Sequence, residues 1–494
     1  MDLFAKICID KNSLEHMYIQ LFKSIKNMIE QGVLKANDKL PPIRQLADLL
    51  GVNNVTIVKA YDLLEEEGYV YKKIGSGTFV KPSGNYRYLN EQHKYPVDED
   101  FRQMDRGQIQ IRNNMISFAS ATPTPDLFPV EDFKNLLIEV LDRDKGSAFG
   151  YQESQGYYPL RESLVSYLSA YGIFTHAENV QIISGAQQGI DVISKAFVQF
   201  GDSVIVESPT YTGAIATFKS RGAKIIDVPI FEDGMDMADL EGKILTHRPK
   251  LIYAMPNFQN PTGYSYSQQK KQKLLELASR YNVLIVEDDY LSELSFHGYE
   301  SATLKSLDIQ DMIIYVKSFS KIFMPGLRLG FLVIPQKLHH QILAAKHASD
   351  ISTSGLNQRA FDLYLRKGIW KQHIHYMKNI YEERFEIMVH CLEKYMAPLG
   401  VSYTLPKGGL NFWLCLPEGY SSNDLYHECE RNNILILPGS IFFTSQGESR
   451  YFRLSIAAVY PHEIDFGMKK LSEIMEKFLK AKATSNINAY FPIL

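Results

Sequence analysis

Cysteine is scarce in this 494-residue chain: Cys8, Cys391, Cys415 and Cys429 are its only four, and none stands in CxxC spacing. That pattern argues against a disulfide framework and a cysteine-based zinc site, and predicts reduced thiols. No charge-poor apolar run is long enough to span a bilayer, and the N-terminus MDLFAKICID has neither the apolar core nor the cleavage site of a secretory signal. An excess of positive charge is missing too. The 53 Lys+Arg stand against 56 Asp+Glu, and within residues 1–80 ten stand against ten. A nucleic-acid partner therefore has to be argued from pattern, not from net charge. What the chain does have is 45% hydrophobic and 22% charged residues, the proportions of a folded protein. Since single cores stop growing at roughly 300 residues, two or three domains are expected. The cytoplasm is the expected location, with no membrane attachment.

Tyr18 to Glu30 carries Ile19, Phe22, Ile25 and Ile29 at helical spacing, and Gly32 stops it. Ile43 to Leu50 predicts a short helix that starts through Pro41-Pro42 and ends at Gly51. Val55 to Gly68 predicts another, with Asn53 or Asn54 as N-cap. Tyr69–Lys73 and Thr78–Val80 predict two strands around a Gly75-Ser76-Gly77 turn. Helix, helix, turn, helix and hairpin is the layout of a winged helix-turn-helix over residues 1–80. Residues 81–114 turn polar and aperiodic, as a linker would.

From 115 to about 480 helices alternate with short apolar segments at Val180–Ile183, Ser203–Val206, Leu251–Ala254, Val283–Val286, Ile313–Val316 and Phe331–Ile334. That alternation predicts an α/β domain with a mostly parallel sheet and flanking helices, followed by a small C-terminal α+β part. Residues 481–494 form a tail without a motif.

Several segments of this second domain carry chemistry. Ser318-Phe319-Ser320-Lys321 is followed by Arg328 within Pro325–Gly330. An apolar strand ends in Glu287-Asp288-Asp289-Tyr290. Asn257–Gly263 contains Asn260-Pro261-Thr262-Gly263, and Ser184-Gly185-Ala186-Gln187 closes a strand and opens a helix. A lone lysine after a strand is ordinarily a surface residue, paired acids at a strand end are often solvated or metal-binding, and a single glycine bend says little by itself. Together, over residues 115–480, these motifs resemble fold-type I aminotransferases. The whole chain resembles the MocR-type subfamily of GntR regulators, which joins a winged helix to that fold.

The resemblance implies pyridoxal 5′-phosphate (PLP) as cofactor, with Lys321 bonded to its aldehyde. Asp288 would face the pyridine nitrogen, with Asp289 as the alternative, while Tyr290 and Asn260 would reach the ring oxygen and Tyr211 would stack on the ring. Gly185, Ala186, Gln187, Ser318, Ser320 and Arg328 would hold the phosphate, joined by Tyr151 from the other subunit of a homodimer. Arg453, in Phe452-Arg453-Leu454-Ser455, would hold an effector carboxylate through paired hydrogen bonds that suit a guanidinium.

On the DNA side the candidates are Arg44, Thr56, Lys59, Tyr61 and the wing Gly75, Ser76, Gly77 and Thr78. Asn53 and Asn54 stand where many family members have Ser-Arg, so one charge is missing and an adenine-reading amide is available. The expected function is a PLP-dependent transcriptional regulator that binds double-stranded DNA, senses an amino acid, an amine or PLP itself, and has at most weak aminotransferase activity. A working aminotransferase is the alternative.

Overall fold

The computed structural model of the chain describes residues 4, 7, 9 and 10, then 16–30, 33–35, 37–73, 77–81, 115–299, 302–445 and 447–490. It separates into two compact units, Met1–Asp98 and Glu99–Leu494. The expected linker, beyond Lys81, lies outside the described residues.

In the first unit helices α1 (Met17–Glu30), α2 (Ile43–Leu50) and α3 (Asn54–Glu66) precede an antiparallel hairpin of β1 (Val70–Lys73) and β2 (Gly77–Val80). Local chemistry sets the boundaries. Gly51 takes a left-handed conformation (φ 59°) and returns its N–H to Ala47 O, which ends α2. The Asn53 side chain accepts from Val55 N, so Asn53 is the N-cap and Asn54 the first helical residue of α3. Leu21, Ile25, Leu46, Ile57, Ala60 and Leu64 are fully buried and form the core of this unit.

The second unit begins with β3 (Ile116–Ser117) and contains an eight-stranded sheet. Its strands are β4 (Val180–Ile183), β5 (Ser203–Ser208), β6 (Lys224–Phe231), β7 (Gly234–Met235), β8 (Leu251–Ala254), β9 (Leu284–Asp289), β10 (Ile313–Ser318) and β11 (Gly330–Val333), in the spatial order β4-β11-β10-β9-β8-β5-β6-β7. The sheet is parallel from β10 through β6, while β11 runs antiparallel to both neighbours and β7 antiparallel to β6. The expected mostly parallel sheet thus has a parallel centre and antiparallel ends. β4, β8, β10 and β11 are buried along their whole length, as strands covered on both faces are. A smaller antiparallel sheet of β12 (Ser402–Thr404), β13 (Asn411–Cys415), β16 (Tyr451–Ser455) and β15 (Leu437–Pro438) follows, and β14 (Ile434–Leu435) pairs with β3. The last helix spans Pro461–Tyr490. Among the described residues no helix is long and apolar enough to cross a membrane.

Under the sheet lies a buried charge cluster. Lys317, on β10, is 1% exposed and places Nζ 2.7 Å from Glu293 Oε2 and 3.3 Å from Asp289 Oδ2. Tyr167 donates its hydroxyl to Glu293 and Tyr315 donates to Asp289. Removing the cation leaves two carboxylates unpaired in a low dielectric. Lys317→Met should therefore destabilise this unit by about 3–5 kcal/mol near neutral pH. The deficit should shrink as pH falls, because protonation removes the stranded charge. Urea unfolding followed by tryptophan fluorescence checks this, since the only two tryptophans, Trp370 and Trp413, both lie in this unit. An unchanged midpoint would show that the cluster does not need the lysine.

Candidate functional site

The segments that follow β4, β5, β8, β9 and β10 all leave one edge of the large sheet, where open α/β sheets form ligand clefts. Strand alternation decides which acid points there. Asp289 faces away and is saturated: Oδ2 receives Tyr315 at 2.6 Å and Lys317, and Oδ1 receives Ser292 N at 3.0 Å. Asp288 faces the cleft. Its Oδ2 accepts the Tyr253 hydroxyl at 2.6 Å, while its buried Oδ1 has no partner among the described residues. Burial pushes the Asp288 carboxyl up to about 6, against the Tyr253 hydrogen bond, which lowers it.

Lys321 follows β10 and pairs with no carboxylate among the described residues. Burial lowers its pKa to about 8, and Arg453 and Arg328 push the same way, so a neutral amine is accessible near physiological pH. Tyr290 donates to Phe258 O at 2.8 Å and accepts from Asn411 Nδ2 at 3.0 Å, which fixes its ring. Tyr211 donates to Gln187 Oε1 at 3.2 Å, and the Gln187 amide in turn reaches Gly213 O and Thr217 Oγ1.

The two ends of the cleft hold cations. At one, Gly185 (φ 89°) precedes the helix Ala186–Phe197, whose first amides face the cleft edge. Arg328 Nη2 donates to Ser184 O at 3.0 Å, and a Cβ on Gly185 would lie 2.5 Å from that nitrogen. Ser318 and Ser320 hydrogen-bond to each other at 3.1 Å beside Arg328. At the other end Arg453, on β16 and 4% exposed, donates Nη1 to Asn260 Oδ1 at 2.8 Å and Nη2 to Ala119 O at 2.5 Å, while its buried Nε has no partner among the described residues. Tyr151 is 84% exposed and belongs to none of these networks.

Three residues of the site were not singled out from sequence. Tyr253 sits within a strand of otherwise aliphatic residues, and Asn411 opens β13. Glu207, at the end of β5, accepts from Met255 N, Tyr266 and Gln259 and so anchors the loop that leads to Asn260. The one legible signal was polarity inside apolar strands.

In the first unit Arg44, Asn54 and Lys59 are exposed, with Lys59 Nζ 5.4 Å from the Tyr18 ring. Thr56 and Thr78 are half-buried and Gly77 is exposed, whereas Gly75 and Ser76 lie outside the described residues. Tyr61 is a correction. It is 2% exposed and donates to Pro41 O at 2.9 Å, so it is a core residue that ties α3 to the start of α2 and cannot reach DNA.

Residues 113–471 match the family described as aminotransferase class I and II. The chain belongs to that family. Residues 17–80 match the bacterial regulatory proteins of the gntR family, so the chain joins a GntR helix-turn-helix to an aminotransferase-like domain, the MocR-type arrangement. A 2-aminoadipate transaminase of Thermus thermophilus is 33% identical over 75% of this chain and 93% of its own length. The HTH-type transcriptional regulator NorG of Staphylococcus aureus is 28% identical over 89% of this chain and 100% of its own. A kynurenine aminotransferase of Pyrococcus horikoshii, solved in complex with PMP, matches with a TM-score of 0.73 and 31% identity, covering 80% of this chain and 97% of its own.

The cofactor of this aminotransferase-like domain is PLP, and the residues fit it. The orphaned Asp288 Oδ1 suits a protonated pyridine nitrogen, and the cationic, amide-lined end at Gly185 suits a phosphate. Because only the unprotonated amine is nucleophilic, PLP reloading of the stripped protein should accelerate with pH and level off above about 8. Stopped-flow absorbance measures this, and a rate flat from about pH 6.5 to about 9 would contradict the assignment of Lys321. Lys321→Ala should lose the visible band of the lysine-bound cofactor.

Proposed function

We propose that the chain is a PLP-dependent transcriptional regulator that senses an amino acid or amine and transmits its binding to DNA-bound winged helices. The observation that carries this reading is the coexistence on one chain of a GntR-type unit and a complete cofactor cleft, in a chain that aligns over 89% of its length with a named transcriptional regulator. Double-stranded DNA is the partner, which places the protein in the cytoplasm. The working form is a homodimer in which Tyr151, so exposed in one subunit, completes the phosphate end of its partner's cleft.

Bound PLP supplies an aldehyde carbon open to amines and a ring that draws electron density. Lys321 would offer the amine, Asp288 Oδ1 would hold a proton on the pyridine nitrogen, and Tyr211 would cover the ring. Tyr290 and Asn260 line the side of the ring oxygen. The backbone amides at Gly185, Ala186 and Gln187, with Ser318, Ser320 and Arg328, take the phosphate. Arg453 orients the effector carboxylate. To do so it has to redistribute guanidinium protons now given to Asn260, in the loop after β8, and to Ala119, just after β3. A ligand biases two arrangements only by its differential affinity for them, and a tenfold change in DNA affinity requires about 1.4 kcal/mol.

A working aminotransferase is the second reading, favoured by the completeness of Lys321, Asp288 and Arg453. Titrating the PLP-loaded protein with amino acids and amines, in the presence of a keto acid, separates the two. A stable spectral shift without keto product is expected. Multiple turnovers through the amine form of the cofactor would overturn the regulator reading in favour of the enzyme. For the DNA half, Arg44→Ala combined with Lys59→Ala should weaken binding and lower the slope of log affinity against log salt by about two, with cofactor loading unchanged. An unchanged slope would remove both residues from the interface.

A further inference from the structure

α3 buries one stripe and exposes a second apolar one. Ile57, Ala60, Tyr61 and Leu64 turn into the core of the first unit, while on the outward side Val55 is 57% exposed and Val58 38% exposed. β-Branched residues are poor choices for an exposed helix surface, and two of them at i, i+3 form one continuous patch. Charge is sorted along the same helix. From Asn54 to Tyr61 there is no acid and one cation, Lys59. The acids come later, and three of them are held: Lys72 pairs with Asp62 at 2.6 Å and Glu65 at 2.7 Å, and Lys26 pairs with Glu67 at 2.9 Å. The first two turns therefore present methyl groups beside positive charge, which complements a polyanion that carries apolar groups. Asn54, exposed beside the patch, has an amide without a partner among the described residues, whereas Asn53 is engaged as the cap.

A helix-turn-helix sets the N-terminal residues of its second helix against base edges in the major groove, and there the apolar group on offer is the C5 methyl of thymine. We infer that Val55 and Val58 read thymine methyl groups, so that the operator half-site of this chain carries thymines on neighbouring base steps. Three residues of helix advance about 4.5 Å and one base step about 3.4 Å, so the two valines match adjacent steps. Asn54 is then placed to take an adenine next to them. The inference rests on the DNA-binding reading above and adds the base chemistry that this helix recognises.

The test uses the full-length, PLP-loaded protein to enrich a site from randomised duplexes, then replaces each thymine singly by deoxyuridine, which deletes only the methyl. At one or two positions per half-site affinity should fall about fourfold, the value of one buried methyl. V55A and V58A should each erase the thymine preference at their own position, with the cofactor spectrum and thermal unfolding unchanged. If a site is enriched but uracil is tolerated throughout, or if the preference survives in both variants, the inference is overturned and the DNA reading stands. A pool with no enriched sequence overturns both and leaves the valine patch as a protein contact.

Discussion

Three consecutive carboxylates, Glu287, Asp288 and Asp289, are buried at the end of one strand, and the site is organised by how each is neutralised. Glu287 accepts two backbone amides at 2.7 Å, from Leu304 and Lys305. Burial raises its pKa, and the nearby Lys271 opposes the rise. Asp289 overcomes its burial through Lys317, Tyr315 and Ser292 and stays ionised. Asp288 alone has only a hydroxyl partner and a spare oxygen. Burying all three without counterions would cost several kcal/mol each, so the polypeptide satisfies two and leaves the third for a cationic group from outside. In the reading proposed above, the cofactor ring would be such a group. The architecture on either face of β9 follows: lysines and tyrosines behind it, the cleft before it.

The small C-terminal sheet meets this arrangement through two hydrogen-bonded contacts, Arg453 to Asn260 and Asn411 to Tyr290. Both join a residue of that sheet to one that lines the cofactor cleft. Binding at the cleft and the packing of the C-terminal part therefore draw on the same donors and acceptors. In an enzyme this geometry would serve closure over substrate, and in a regulator it gives the ligand a mechanical output.

Much of this was legible in the chain itself where the chemistry is local. The boundaries of α1 to α3 follow from glycines, prolines and an asparagine cap within a few residues of each end. The cleft residues were legible because strand ends punctuate the sequence with Gly185, Asn260, Asp288 and Lys321. What escaped depends on distant partners: Tyr253 meets Asp288 across 35 residues, and Asn411 meets Tyr290 across 121. β6 escaped because Lys224, Asp227 and Pro229 interrupt its apolar pattern near the edge of the sheet, where most of its residues are only partly buried or exposed. Tyr61 was misplaced against its own periodicity. It stands four residues after Ile57 and three before Leu64, which is the core stripe. Sequence alone could not tell which of Asp288 and Asp289 keeps an oxygen to offer; among the described residues it is Asp288 Oδ1 that has no partner.

Gly185 and Arg328 are bound to each other in a way that bears on descent. The left-handed backbone at 185 favours glycine whatever surrounds it, and the guanidinium above leaves no room for a side chain. Arg328 has no comparable backbone restraint beyond its own φ of 53°, which asparagine or glycine would adopt more readily. A lineage that ceased to hold a phosphate would be free to shed the arginine while its fold still kept the glycine. Of the two positions, the glycine is thus held by the fold, and the arginine by its contacts to Ser184 and Ser320.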